Sequence, residues 1–396
     1  MLPSEILDRT VSLLVELCGI SSPSGDAEGL GRVAARLAAE LSRCGLATEV
    51  ASERDSEGVA QPLLIARGPK AGKRYLLLVG HMDTVLEAVP PRIEDGRLLA
   101  TGALDMKGGL AMLVGALDLL AHRGQKPPDD FMLVVVPDEE ASGVISERMV
   151  RRWGQEARTL LVIEPGEARG DMETLVAGRR GGADWRLDVT GRAAHSGLAY
   201  WEGRSALVAA ADWAVKAQRL SRPGPEPTVN VARLVGGDAD FVNDLPRHFN
   251  LLGSQRRRNV IPDRAAAEGE VRFLSTPACE RVLASLEALT GQVAKEHNVT
   301  MTFMRGAVIP SVDPQGPGRP MAARVVELAR ARGWRLEVDD DRGGISFPNF
   351  VTDPARVPVV DGLGPVGDGM HTREEYLDLR SLERRIVLLA DLLATL

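Results

Sequence analysis

Tyr75-Leu76-Leu77-Leu78-Val79 is an unbroken apolar run that stops at Gly80, after which the chain turns polar in His81-Met82-Asp83-Thr84-Val85. A short apolar run closed by glycine reads as a buried strand. The loop at the carboxyl end of such a strand is where open α/β sheets place their ligands. Beyond it, Gly102-Ala103-Leu104-Asp105-Met106-Lys107-Gly108-Gly109 leads into a helical pattern. An imidazole and two carboxylates at such loops, with glycines that let the backbone turn sharply, have two readings. They are metal ligands, or they are hydrogen-bonded loop residues.

The same rhythm runs through the first half of the chain. Residues 26–43 read as an amphipathic helix, with Leu30, Val33, Leu37 and Leu41 on one face and Gly45 as its stop. Residues 63–66, 131–136 and 160–163 are strand candidates, and 110–122 and 147–153 are helical. Strands alternating with helices imply a mostly parallel, layered α/β domain. After Val176 the character changes. Strand patterns at 184–189, 229–234 and 268–273, with helices at 205–219 and 280–296, follow the order of a small ferredoxin-like α+β sandwich. Residues 299–303, 320–332, 357–360 and 382–393 return to the first style. The expected division is a discontinuous α/β domain, 1–178 and 295–396, interrupted by an inserted domain, 179–294. Within the insertion, 238–258 is polar, and its Arg256-Arg257-Arg258 reads as a solvated loop.

Composition narrows the function classes. A chain of 396 residues, 44% hydrophobic and 26% charged, is an ordinary soluble globular protein with room for more than one domain. Its net charge of -7 argues against nucleic acid as a primary partner. Nothing approaches the run of about 18 apolar residues that spans a membrane, and Ile6, Leu7, Val11, Leu14 and Leu17 have helical spacing, unlike a secretory signal. Cys18, Cys44 and Cys279 are odd in number and widely spaced. They imply no disulfide framework and fit a reduced, cytoplasmic compartment.

Acids and histidines recur at the predicted strand ends: His81 with Asp83, then Asp105, Glu139-Glu140 and Glu164, and late in the chain Gly367-Asp368-Gly369-Met370-His371-Thr372. Such ends lie along one edge of a parallel sheet, so groups distant in sequence can converge. Imidazole with carboxylate suits zinc or a similar first-row dication. Each fragment alone has a blander account. A lone histidine is a loop residue, paired glutamates are a helix start favoured by the dipole, and Asp105 caps the following helix. The ordered set is what favours a metal site.

In that order the chain resembles the M20 family of dinuclear zinc metallopeptidases and amidohydrolases, the group of glutamate carboxypeptidase, acetylornithine deacetylase and succinyl-diaminopimelate desuccinylase. The matching blocks are 80–85, 102–109, Asp138-Glu139-Glu140, Ile163-Glu164-Pro165 and His371 with Glu374-Glu375-Tyr376. The insertion matches in Gly191-Arg192-Ala193-Ala194-His195-Ser196-Gly197, in Asn259-Val260-Ile261-Pro262-Asp263 and in Glu270-Val271-Arg272. The resemblance implies a zinc-exopeptidase-like α/β catalytic domain with an inserted ferredoxin-like dimerisation or lid domain, and a homodimer. It implies two zinc ions, with cobalt or manganese as substitutes. Asp105 would bridge them, His81 and Glu164 would complete one, and Glu140 with His371 the other. Asp83 would orient the His81 imidazole and Glu139 would be the general base. His195 would reach the site from a neighbouring subunit, Arg272 and Asn259 would hold a substrate carboxylate, and Gly343-Gly344 would line its path.

Three departures bear on the substrate. Ser346 is followed by Phe347-Pro348 where the family has a Ser-Asp pair, Ala307 follows Arg305-Gly306 where glutamate-specific enzymes carry a further arginine, and 238–258 is longer than the usual connection. The expected activity is hydrolysis of an amide or peptide bond beside a free carboxylate, in a short peptide or small molecule. An N-acyl amino acid deacylase is the alternative within the fold, and a non-catalytic relative that binds metal or peptide is the alternative outside it.

Overall fold

The computed structural model describes residues 2–72, 74–141, 143–170, 172–244, 259–351 and 356–396. It contains two compact units, Met1–Arg179 with Val312–Leu396, and Arg180–Ser311. Arg256-Arg257-Arg258 and most of the 238–258 segment lie outside the described residues; Ala239–Asp244 is a short helix.

The first unit is built on a six-stranded sheet in the order Ala47–Arg54, Ala60–Arg67, Phe131–Val136, Leu76–His81, Thr159–Val162, Val359–Val360. The last four strands are parallel to one another, and Ala60–Arg67 runs antiparallel to both of its neighbours. Leu76–His81 and Phe131–Val136 are buried at every position, which is why they read as continuous apolar runs with no alternation. Helices cover the faces. Gly108–His122 is buried over most of its circumference and packs against Ser4–Gly19 and Leu379–Leu393. Ala27–Arg43 starts where Asp26 caps it, the carboxylate accepting the Gly29 N–H at 3.1 Å.

Two small sheets went unread in the sequence. Residues 86–101 contain a hairpin, Arg92–Glu94 with Arg97–Leu99. Asp95 and Gly96 form its two-residue turn with φ of 50° and 75°, the left-handed pair that Asp-Gly favours. Tyr376–Asp378 adds to it and Gly367–Asp368 follows, completing a four-stranded antiparallel sheet. The second is a sheet of Leu336–Asp339, Met172–Val176 and Ala168–Arg169.

The second unit is a sheet in the order Thr228–Gly237, Arg264–Phe273, Gly181–Thr190, Thr300–Ile309, all antiparallel. With helices Ala206–Gln218 and Thr276–His297 the order is βαββαβ, the ferredoxin-like arrangement. Trp185 and Trp213 meet edge to face at 5.1 Å in its core, and Trp213 Nε1 donates to Thr290 Oγ1 at 3.0 Å. The expected boundary at 295 is corrected here. Thr300–Ile309 pairs with Gly181–Thr190 along nearly its whole length, so this unit keeps the chain to Ser311. Its half-exposed alternation resembles a first-unit edge strand and gave no local sign of its partner.

Arg385, 1% exposed, fastens the last helix to the first unit. It donates to Glu173 Oε2 at 2.8 Å, to the Thr174 carbonyl at 2.8 Å and to the Gly362 carbonyl at 3.0 Å. Removing one partner of a buried ion pair strands the other. Arg385→Ala is therefore expected to cost about 3–5 kcal/mol in chemical denaturation. Adding Glu173→Ala should cost less than the sum of the two single changes.

Candidate metal centre

His81 stands at the carboxyl end of its strand and is fully buried. Gly80 before it is closely packed: a Cβ there would lie 2.6 Å from Met106 Cε, and the Met106 side chain would have to shift. Met106 is close enough that its sulfur accepts the His81 N–H at 3.0 Å. His81 Nδ1 is 3.0 Å from the Asp83 carbonyl and 3.3 Å from Asp83 Oδ1. A proton on Nδ1 satisfies these acceptors and leaves the Nε2 lone pair facing the site.

Asp105 projects from the irregular turn Ala103–Lys107. That turn is held by Glu375, whose carboxylate accepts the N–H groups of Gly102, Leu104 and Asp105 at 2.9, 2.8 and 3.0 Å. Asp105 Oδ1 is 3.1 Å from His81 Nε2, and Oδ2 is 3.3 Å from His371 Nε2. One carboxylate thus presents each oxygen to a different imidazole. His371 Nε2 is also 3.1 Å from Glu140 Oε2, and His81 Nε2 is 3.5 Å from Glu164 Oε1. Donor atoms of His81, Asp105 and Glu140 lie within 4.8 Å of one another, as do those of His81, Glu139 and Glu164. His371 holds a left-handed φ of 65°, uncommon outside glycine, in a turn where the Thr372 hydroxyl and N–H both donate to the Gly369 carbonyl.

The Glu139-Glu140 turn is tied down from two sides. Asp138 accepts the N–H groups of Ile145 and Ser146 and the Ser146 hydroxyl. Asp83 accepts the N–H of Glu139 at 3.2 Å and of Glu140 at 3.0 Å. Asp83 also accepts the Ser24 hydroxyl at 2.6 Å. Sequence reasoning missed Ser24, and gave no role to Glu375 or Lys107 although both stand in the matching blocks. Lys107 is buried with its ammonium donating to the Ile20 carbonyl at 2.8 Å.

The charges do not balance among themselves. Among the described residues, none of Asp105, Glu139, Glu140 and Glu164 pairs with a lysine or arginine; Asp105, Glu140 and Glu164 face His81 and His371 instead, and Glu139 lies beside His81 and Glu164. Burial, reinforced by the Asp105 charge, pushes Glu164 well above the usual carboxylate range and Glu140 up to about 8. Glu139 is raised for the same reason. Burial alone would depress the His81 imidazole, but Glu164, Asp105 and Asp83 outweigh it and hold it well above its ordinary value. Hydrogen bonding to Asp105, with Glu140 adding its charge, raises His371 to about 9. Buried carboxylates gathered around two imidazoles, with no lysine or arginine paired to them, are a donor set that fits a divalent metal of the zinc type once the imidazoles give up their protons.

The remaining expected residues fall elsewhere. In the second unit, His195 and Asn259 are neighbours: Ser196 N–H donates to the Asn259 carbonyl at 3.0 Å, and Asn259 Nδ2 is 3.4 Å from His195 Nε2. His195 Nδ1 accepts the N–H groups of Gly197 and Leu198, so in the neutral ring Nε2 carries the proton. Arg272 pairs with Glu270 at 2.8 Å, and one of its terminal nitrogens, Nη1, is buried without a partner. In the first unit, a Cβ on Gly343 would meet nothing within 4 Å, and the Gly344 carbonyl accepts from Arg179 at 2.7 Å.

A layered α/β unit whose parallel strand ends gather His81 and carboxylates, joined by His371 from the small antiparallel sheet, presents the donor set of a metal site. Residues 77–395 match the model of Peptidase family M20/M25/M40, and the chain belongs to that family. It is 27% identical over 393 residues to carboxypeptidase G2 of Pseudomonas sp. strain RS-16, covering 98% of this chain and 89% of that one. It is 28% identical over 401 residues to succinyl-diaminopimelate desuccinylase of Xylella fastidiosa strain M12, covering 96% and 95%. The fold is similar to that of aminopeptidase PepT from Bacillus cereus ATCC 10987, with a TM-score of 0.77 at 21% identity and 98% of each chain covered. Among the described residues no helix is long and apolar enough to cross a membrane.

Ligation requires neutral imidazole, whereas His371 in the metal-free protein keeps its proton up to about 9. Zinc binding at neutral pH should therefore expel protons, and affinity should weaken as pH falls, by about tenfold per unit per proton. Titration calorimetry in buffers of different ionisation enthalpy measures the release; a zinc-binding enthalpy independent of buffer would contradict it.

Proposed function

We propose that this chain is a dizinc hydrolase that cleaves an amide or peptide bond beside a free carboxylate. The observation that carries the reading is Asp105, whose two oxygens face two different imidazoles. In this assignment Asp105 would serve both ions, His81 and Glu164 would hold one, and Glu140 and His371 would hold the other. When bound, such ions supply Lewis acidity to the scissile carbonyl and the attacking water.

The protein's own part is to orient and to move protons. Asp83 keeps the His81 proton on Nδ1. Glu139 is the general base. A buried carboxyl raised above its ordinary range is a better proton acceptor than a solvated one. A carboxylate oxygen of Glu139 takes a proton from water as its oxygen joins the carbonyl carbon, and gives it to the amide nitrogen as the C–N bond breaks. His195 Nε2–H is assigned to the developing oxyanion, a donor worth roughly 3 kcal/mol. Arg272 and Asn259 are assigned to the substrate carboxylate, and the unpartnered nitrogen of Arg272 supports this.

The substrate's second recognition point falls at Ala307, where the resemblance to glutamate-specific enzymes fails. Arg305 cannot stand in for the arginine absent at Ala307, because Glu287 and Glu280 of the adjacent helix engage it at 2.8 and 2.7 Å. This favours a substrate without a glutamate side chain, and it keeps N-acyl amino acid deacylation as the second reading. The reading extends to a homodimer through the inserted unit and to a reduced, cytoplasmic setting, which the free thiols of Cys18, Cys44 and Cys279 support.

Zinc-loaded protein tested against N-acetyl, N-succinyl and peptidyl amino acids should release free amino acid from at least one class. With that substrate, Glu139→Gln should lower kcat by about 10²–10⁴-fold while zinc is retained. Unchanged turnover would remove Glu139 from the mechanism. Mixing His195→Ala and Glu139→Ala chains tests a shared site, and no recovery of activity in the mixture would argue against it.

A further inference from the structure

Asp83 is completely buried, and both of its oxygens are fully engaged. Oδ1 accepts the Glu139 N–H at 3.2 Å and lies 3.3 Å from His81 Nδ1. Oδ2 accepts the Glu140 N–H at 3.0 Å and the Ser24 hydroxyl at 2.6 Å. The hydroxyl contact is the shortest of the four and has the length of a charge-assisted O–H···O⁻ bond. The three other donors belong to the site itself, to the imidazole and to the turn of the base and its neighbour. Ser24 alone comes from outside.

Its position is well fixed. Residues 20–26 run beneath the loop that follows His81. Ser24 N–H donates to the Thr84 carbonyl at 3.2 Å and Thr84 N–H to the Ser22 carbonyl at 3.0 Å. The Ser22 hydroxyl donates to the Met82 carbonyl at 2.9 Å. Asp26 N–H donates to the Pro23 carbonyl at 2.9 Å, and Asp26 caps the helix Ala27–Arg43. A carboxylate held only by groups that it must itself orient has no external reference. A hydroxyl mounted on a strand-like bridge and a helix start provides one.

We propose that Ser24 is a positioning residue of the metal centre, its hydroxyl fixing the Asp83 carboxylate on which His81 and the Glu139-Glu140 turn both depend. The proposal rests on the metal-site reading and assigns Ser24 no contact with metal or substrate. Groups behind a metal-ligating histidine typically change metal affinity by about 10–100-fold when removed.

The test compares Ser24→Ala, Ser24→Thr and Ser22→Ala with the unaltered protein. Ser22→Ala is the structural control, since it deletes a buried hydroxyl in the same segment that touches a carbonyl and not Asp83. Zinc affinity is read by competition with a chromogenic chelator, site geometry by the visible spectrum of the cobalt form, and folding by the melting temperature of metal-free protein. Ser24→Ala is expected to lose about 10-fold or more in zinc affinity and to alter the cobalt spectrum, and Ser24→Thr to restore both. Ser22→Ala is expected to lower the melting temperature and to keep zinc affinity within about twofold of the unaltered protein's. Zinc affinity in Ser24→Ala within twofold of the unaltered protein would overturn the proposal, as would an equal loss in Ser22→Ala. If Ser24→Ala does not fold, Ser24→Cys, with a weaker donor, takes its place, and unaltered zinc affinity there overturns it equally. An unaltered protein that binds no zinc would sink the metal-site reading itself, and this proposal with it.

Discussion

Repulsion among buried carboxylates is the constraint around which the first unit is arranged. Two unit charges 4 Å apart cost about 4 kcal/mol at an effective dielectric of 20, and Asp105, Glu139, Glu140 and Glu164 gather around two imidazoles. Attraction among the groups cannot place them, so placement comes from behind. Glu375 grips three amides of the Asp105 turn, Asp83 grips the amides of the glutamate pair, and Asp138 grips the start of the next helix. Each of these is a carboxylate engaged by backbone N–H donors. The centre is thus a set of acids held in place by a second set that grips the backbone behind them.

The sheet supplies the coarse convergence and the small antiparallel sheet the fine one. Parallel strands bring His81, Asp138 and Glu164 to a common edge. His371 arrives differently, on a turn between Gly367–Asp368 and Tyr376–Asp378, whose partner strand Arg97–Leu99 leads directly into the Asp105 turn. Glu375 belongs to that same connection, so one short ladder sets both the imidazole and the turn it faces.

What the sequence revealed followed burial. Phe131–Val136 was readable to the residue because both its faces are covered, and the acids and histidines of the centre announced themselves by lying just past such runs. Ala47–Arg54, mostly exposed at the sheet edge and buried at no position, carries no such pattern and went unread. The Asp95-Gly96 turn was legible in principle, but its strands of three residues each were too short for periodicity to flag. Thr300–Ile309 misled because alternation tells a strand's faces and not its neighbours. Ser24 and Glu375 were invisible as functional residues. Each acts through one side chain on backbone or carboxylate far away in sequence, a relation that only the folded chain displays.

The chain quits the first unit at Arg179 and re-enters at Val312, and these two residues are themselves an antiparallel bridge, each donating its N–H to the other's carbonyl at 3.1 and 2.9 Å. Topologically, everything from Arg180 to Ser311 is an overgrown hairpin loop. Closing a bridge of that kind needs only a two-residue turn, so the connectivity of the α/β unit is complete without its insertion. The ferredoxin-like unit is in that sense a graft on a closed stem, open to exchange or resizing without rethreading the sheet that carries the chemistry.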